Sequence, residues 1–256
     1  MEAIASQRFL GVPVEVHALL DSTNDEAFRR ARDGAPEGLV VVAGAQTAGR
    51  GRQGRLWFDT PGRSLLFSIL LRPSIPLPSF PLLSLALAGS IAEAGRDAAG
   101  GARLDVKWPN DVLHRGKKLC GVLAESRPLA PGGAPLLVIG AGVNGNQLED
   151  DFPPEIRARA TSLRIARGGD SIDLAALFGA TLARFGDSLA LARGGDPRPL
   201  FQRVRPWLPE RGASVRVTLG ERALEGSVEE VTEEGALRVR DRASGRLETV
   251  VAGALE

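Results

Sequence analysis

The segment Gln46-Thr-Ala-Gly-Arg-Gly-Arg-Gln-Gly-Arg55 places guanidinium groups at 50, 52 and 55 among glycines at 49, 51 and 54. Glycine lets backbone approach a ligand closely and arginine makes charge-assisted pairs with carboxylate or phosphate, so the segment favours anions. It carries no acid of its own to hold its like charges together, which predicts a loop that is mobile when empty. On this loop alone, an RNA-binding Arg-Gly segment or a solvated turn competes with that reading. Lys107-Trp-Pro-Asn-Asp111 offers a cation, an aromatic, an amide and a carboxylate at a strand end. That set suits phosphate, with Asn110 or Asp111 orienting the lysine or reaching Mg²⁺; Trp108 as core and Asp111 as a turn former is the plainer alternative. Lys118 follows on the next strand and could face the same pocket as Lys107, so that two ammonium groups converge on one anion. Gly140-Ala-Gly142-Val-Asn144 adds side-chain-free backbone and one amide.

The distribution of rare residues sharpens this. Of 32 basic residues 29 are arginine, and the three lysines, Lys107, Lys117 and Lys118, fall within twelve positions. Lysine is a compact point charge and arginine a planar fork, so a site requiring one does not readily accept the other. Asparagine is confined to Asn24, Asn110, Asn144 and Asn146. Gly49 to Gly54 and Gly140 to Gly145 both spell G-x-G-x-x-G, yet neither opens a helix as the dinucleotide fingerprint requires, and there is no Walker A run. Two histidines, His17 and His114, and one cysteine, Cys120, supply neither a His-rich metal site, a serine-type triad, a zinc thiolate cluster nor a disulfide.

These residues need a scaffold. At 256 residues and 43% hydrophobic the chain can bury a substantial core, and a net charge of +1 excludes a globally basic nucleic-acid footprint. Helices are predicted at 24 to 33, with Ser22 or Thr23 as cap and acids in the first turn, and at 81 to 98, 154 to 163, 173 to 192 and 197 to 207. Strands are predicted at 39 to 46, 64 to 72, 103 to 108, 112 to 115, 118 to 125 and 136 to 141, with Arg115-Gly-Lys117 as a hairpin turn. From Ala213 the texture becomes short alternating strands, which predicts a small β-barrel after a boundary at Pro206 to Gly212. Prolines at 73, 76, 78 and 81 leave the longest uncharged stretch with a helix too short to cross a bilayer. No secretory signal pattern stands at the N-terminus, and the cytoplasm is the expected compartment.

Taken in order, Ser22-Thr-Asn24, the Arg-Gly loop, Lys107-Trp-Pro-Asn-Asp111, Lys117-Lys-Leu-Cys-Gly121, Gly140-Ala-Gly-Val-Asn144 and Ala160-Thr-Ser-Leu163 resemble the biotin protein ligase family, from about residue 16 to the C-terminus. The resemblance implies an α+β fold, a mixed β-sheet with helices on one side related to class II aminoacyl-tRNA synthetases, occupying 1–208, and an SH3-like barrel at 209–256. It implies ATP, biotin and Mg²⁺: biotin and MgATP give biotinyl-5′-AMP, and a lysine of a biotin carboxyl carrier protein, of acetyl-CoA carboxylase or another biotin-dependent carboxylase, then accepts the biotinyl group. By the same resemblance Ser22, Thr23, Asn24 and Gln46 take the biotin head group, with Gly49, Gly121, Gly140 and Gly142 completing that subsite. Arg50, Gly51 and Arg52 close over the carboxylate and the adenylate phosphate. Lys118 neutralises the reacting oxygens, and Lys107 holds the triphosphate. Trp57, Asn110 and Asn144 lie on the nucleotide side, and Asp111 binds metal or orients a lysine.

Larger members of that family carry a DNA-binding domain before Ser-Thr-Asn; with 21 residues preceding Ser22 here, the expectation is no repressor function, no nucleic-acid partner and no membrane. A homodimer is left open. Ala252-Gly-Ala-Leu255 departs from the family's usual Gly, acid, Val in the barrel. The rivals are a lipoate or octanoyl ligase, a nucleic-acid-binding module and a catalytically dead carrier-binding scaffold.

Overall fold

A computed structural model describes the chain except residues 129–132, 134, 220, 221, 252, 253 and 256. Helix α1 (Glu2–Ala5) and strands β1 (Arg8–Phe9) and β2 (Val12–His17) precede α2 (Thr23–Arg32). Strands β3 (Val40–Ala43) and β4 (Ser64–Leu71) lead to helix α3 (Phe80–Ala98), then to β5 (Asp105–Lys107), β6 (Asp111–His114), β7 (Lys117–Pro128) and β8 (Pro135–Asn144). Two short helices, α4 (Pro154–Arg157) and α5 (Leu163–Ala166), are followed by α6 (Leu174–Ala190) and α7 (Arg198–Val204). The chain ends in β9 (Ser214–Leu219), β10 (Arg222–Val231), β11 (Leu237–Asp241), β12 (Leu247–Val250) and β13 (Ala254–Leu255).

The first eight strands form one mixed sheet, ordered β1-β2-β3-β4-β8-β7-β6-β5, in which β2 and β3 run parallel. All eight residues of β4 are buried. The reason is cover on both faces, which calls for a continuous apolar run rather than alternation. Leu65, Phe67, Ile69 and Leu71 pack with α3, α6 and α7, whereas Leu70 joins Val41 and Val138 beneath Ala27 and Phe28 of α2. The expected one-sided cover therefore holds for the long helices, and α2, which carries Ser-Thr-Asn at its start, takes the opposite face. Each leucine that α3 buries completely, such as Leu82 or Leu85, stabilises by about 1.5–3 kcal/mol.

Leu77–Ala98 meets the length and apolarity needed to cross a membrane, at 22 residues and mean hydropathy 1.3, contrary to the expectation that prolines cut it too short. Pro76 and Pro78 stand at or before its first turn, and Pro81 sits at its second helical position, where the missing N–H costs nothing. With 78% of that window buried inside the protein, it is a core helix. The predicted helix at 154 to 163 is instead α4 and α5, separated by backbone that pairs with Lys118. The β1–β2 hairpin was not predicted, although Val12, Val14 and Val16 alternate. Arg115 and Gly116 both take positive φ, 49° and 77°, as a two-residue hairpin turn requires.

The C-terminal strands form a five-stranded antiparallel sheet, ordered β12-β11-β10-β9-β13, consistent with an SH3-like fold. It docks on the first sheet through Trp108, whose indole Nε1 donates to Gly235 O at 3.1 Å. Trp108 is thus core, as its plainer reading had it. The departure noted at 252 to 255 lies partly outside the described residues, and β13 there pairs with β9.

Candidate active site

A cleft of about 680 Å³ opens over the face of β7 and β8 and is roofed by the Arg-Gly loop. Every predicted site residue lines it except Gly49. Gly49 instead lets two legs of the loop meet: its carbonyl accepts from Trp57 N at 2.9 Å, and a Cβ there would lie 3.0 Å from Gln46 Nε2.

One end is neutral and closely bonded. Helix α2 was expected to be capped by Ser22 or Thr23, but Ser22 makes no side-chain cap bond; Thr23 N donates to Gln46 Oε1 at 2.7 Å, so the capping oxygen comes from the strand-to-loop junction. Thr23 Oγ1 also reaches that oxygen at 3.2 Å. Asn24 Nδ2 donates to Glu125 Oε2 at 2.7 Å. Between them stands Ser68 of β4, its hydroxyl 2.7 Å from Thr23 Oγ1 and 2.6 Å from Asn24 Oδ1. Sequence reasoning missed Ser68, although a hydroxyl inside the apolar run Leu65 to Leu71 was a signal. Gly140 has its place because a Cβ would fall 2.2 Å from Asn24 Oδ1.

The middle of the cleft is a platform. Gly121 and Gly142 are cross-strand partners, and the Trp57 indole rests on them: a Cβ on Gly142 would lie 2.3 Å from the ring, and one on Gly121 3.1 Å from both the ring and Lys118. Lys118 Nζ stands 5.7 Å from the Trp57 ring centroid, within cation–π range.

The other end is charged. Lys118 Nζ pairs with Asp111 Oδ1 at 2.8 Å, with Lys118 40% and Asp111 25% exposed. Asp111 is register partner to both Lys107 and Gly121, which brings the two lysine strands to one place. Arg52 donates to Asn110 Oδ1 at 3.0 Å; burial, and then Arg55, pulls its pKa down, though a guanidinium stays protonated. Asn144 donates to Thr161 O at 3.0 Å. The Ala160-Thr-Ser-Leu163 stretch acts as a strap: Lys118 N donates to Arg159 O at 2.7 Å, and Thr161 N donates to Lys118 O at 2.9 Å. Ser162 then caps α5 by accepting from Ile165 N at 3.1 Å.

Asp111 was read as a metal ligand or a lysine orienter, and its geometry fits the second. Its carboxylate faces an ammonium group. The loop's missing acids come from elsewhere in the chain: Arg50 pairs with Asp25 of α2 and with Glu125 of β7. Asp25 was read only as a helix first-turn acid. The Arg50 hydrogen bond holds Asp25 below the usual carboxylate range. Burial alone would raise Glu125, but donors on Asn24, Arg127 and Arg50 bring it below its ordinary value.

The sequence profile of the biotin/lipoate A/B protein ligase family matches residues 16–144, the span that contains both ends of the cleft and the strands between them. The chain belongs to that family. It is 44% identical over 157 residues to the bifunctional ligase/repressor BirA of Bacillus spizizenii, covering 61% of this chain and 47% of that protein. Over 154 residues it is 38% identical to the biotin--[acetyl-CoA-carboxylase] ligase of Mycobacterium tuberculosis, covering 59% and 54%. The chain thus spans about half the length of the curated relatives it matches. Among solved structures, the biotin protein ligase of Aquifex aeolicus in complex with biotin and ATP superposes with a TM-score of 0.75 at 28% identity, over 95% of this chain and 97% of that one. That of Leishmania major in complex with biotinyl-5-AMP gives 0.56 at 25% identity, over 93% and 98%.

Proposed function

We propose that this chain is an ATP-dependent biotin ligase, which activates biotin as biotinyl-5′-AMP and passes it to a lysine of a biotin carboxyl carrier protein. The observation that carries the reading is one continuous cleft with a neutral hydrogen-bonding end, a glycine platform and a cationic end. A biotin carboxylate oxygen attacks the α-phosphorus and pyrophosphate leaves; the carrier amine then attacks the acyl carbon, loses its proton, and AMP leaves. The first step must bring two anions together and the second must present a neutral amine to the mixed anhydride, so fixed positive charge and alignment do the work and no nucleophile from this chain is required. Ser22, Thr23 and Gln46 recognise the head group, Lys118, oriented by Asp111, faces the reacting oxygens, and Arg52 with Lys107 faces the phosphates. Asp111 is the carboxylate that would meet a magnesium ion bound to the triphosphate, where the ion would offset phosphate charge. Residues 1–208 carry the chemistry and 209–256 the SH3-like part. Cys120, buried and lacking a disulfide partner, suits a reducing compartment, and the cytoplasm is the one proposed.

Incubation with biotin, ATP and a purified biotin carboxyl carrier domain tests the reading. The expected result is a biotinyl mass gain on one carrier lysine; a carrier modified by lipoate or octanoate but not by biotin would replace this function with that of the sister ligases.

A further inference from the structure

Arg50 lies within the stem of the loop, and its charge is already matched by the chain. The guanidinium donates to Asp25 through both terminal nitrogens, the NH2 bond to Oδ1 measuring 2.8 Å, and NH2 also reaches Glu125 Oε2 at 3.2 Å. That same Glu125 oxygen accepts from Asn24, while Oε1 accepts from Arg127 at 2.9 Å. Two carboxylates and two guanidinium groups therefore form a neutral cluster, about a quarter to a third exposed at Arg50, Asp25 and Glu125. The acids sit on different elements. Asp25 follows Asn24 on α2, and Glu125 shares β7 with Lys118. The cluster thus ties the loop both to the helix bearing the head-group residues and to the strand bearing the central lysine. An acid that served only the helix terminus would have no need of a loop guanidinium in bidentate contact.

We propose that Asp25 and Glu125 are positioning residues of the Arg-Gly loop, holding its stem over the cleft through Arg50 and so setting how long an acyl-adenylate is retained. The retention clause rests on the ligase reading above; the anchoring clause does not, because both anchors are groups of the chain itself.

Trypsin cleavage of the full chain, mapped by mass spectrometry at Arg52 and Arg55 without added biotin or ATP, tests the anchoring. Arg242 and Arg246, in an exposed turn of the second sheet, are open to trypsin in the folded chain and serve as the internal reference for protease activity. Asp25→Asn and Glu125→Gln should each speed cleavage at 52 and 55 by about tenfold or more, the lower end expected for losing a charge-assisted hydrogen bond. Cleavage at 242 and 246 should keep its rate, and Asp25→Glu should restore protection. Dissociation of preformed radiolabelled biotinyl-AMP should accelerate in the same two variants and recover in Asp25→Glu. Unchanged loop cleavage in both variants, or equal acceleration at 242 and 246, would overturn the proposal. Wild-type protein that forms no biotin-dependent adenylate would instead sink the ligase reading and leave the cleavage comparison to decide on Asp25 and Glu125.

Discussion

At one end of the cleft Thr23, Asn24 and Ser68 are neutral, 5%, 3% and 0% exposed, and bonded to one another; at the other, Lys118 and Asp111 are charged, paired and reached by water. The contrast separates two tasks. A buried network recognises by shape, since a ligand that fits poorly leaves its polar groups unpaired at about 1–3 kcal/mol each. A half-hydrated charge pair does little for the fold and stays available to an incoming anion. Damage to the first end should therefore fall on affinity, and damage to the second on rate.

Lys118→Ala should break the charged end most severely. Adenylate formation is expected to fall by ~10²- to 10³-fold or more, as for loss of a preorganised electrostatic donor, with the thermal midpoint within about 2 °C of wild type because the lost pair is partly exposed. Rapid-quench assays and calorimetry check both halves; a large drop in midpoint would mean that Lys118 is structural. Gly140→Val attacks the neutral end by driving a side chain into Asn24 Oδ1. Overpacking of about 1–3 kcal/mol should raise the biotin Kd by roughly tenfold or more while the ATP Kd moves less, as titration calorimetry would show. Equal losses for the two ligands would erase the division between the ends. Ser68→Ala, the smallest change, should weaken biotin binding by about 1–2 kcal/mol through the unpaired Asn24 oxygen, Thr23 keeping its bond to Gln46.

Motif residues were legible because their types announce their chemistry: Arg50 and Arg52 of the Arg-Gly loop, Lys107, Lys118, Asn110 and Asp111 do meet in one cleft, whereas Lys117 and Trp108 do not line it. Their supports were not, because support is a long-range fact. Asp25 lies 25 residues from Arg50 and Glu125 lies 75 away, and nothing local distinguishes them from surface acids. Gln46 as the cap of α2 depends on β3 running parallel beside β2. The strap at 159 to 161 reads as helix because its residues suit one, and pairing with Lys118 overrides that propensity. The glycines at 140 and 142 looked like ligand contacts, whereas their immediate work is to admit Asn24 and Trp57. The change to short strands after Ala213 was legible, since those strands alternate and their turns carry glycine, and β9 begins at Ser214.

The central claim is that the two ends act on one molecule at once, joining a biotin carboxylate to AMP. Isotopic exchange between pyrophosphate and ATP on the purified wild-type chain measures this directly. Exchange that requires biotin and saturates with it is the predicted result; exchange indifferent to biotin, or driven by lipoate or octanoate in its place, would contradict the claim.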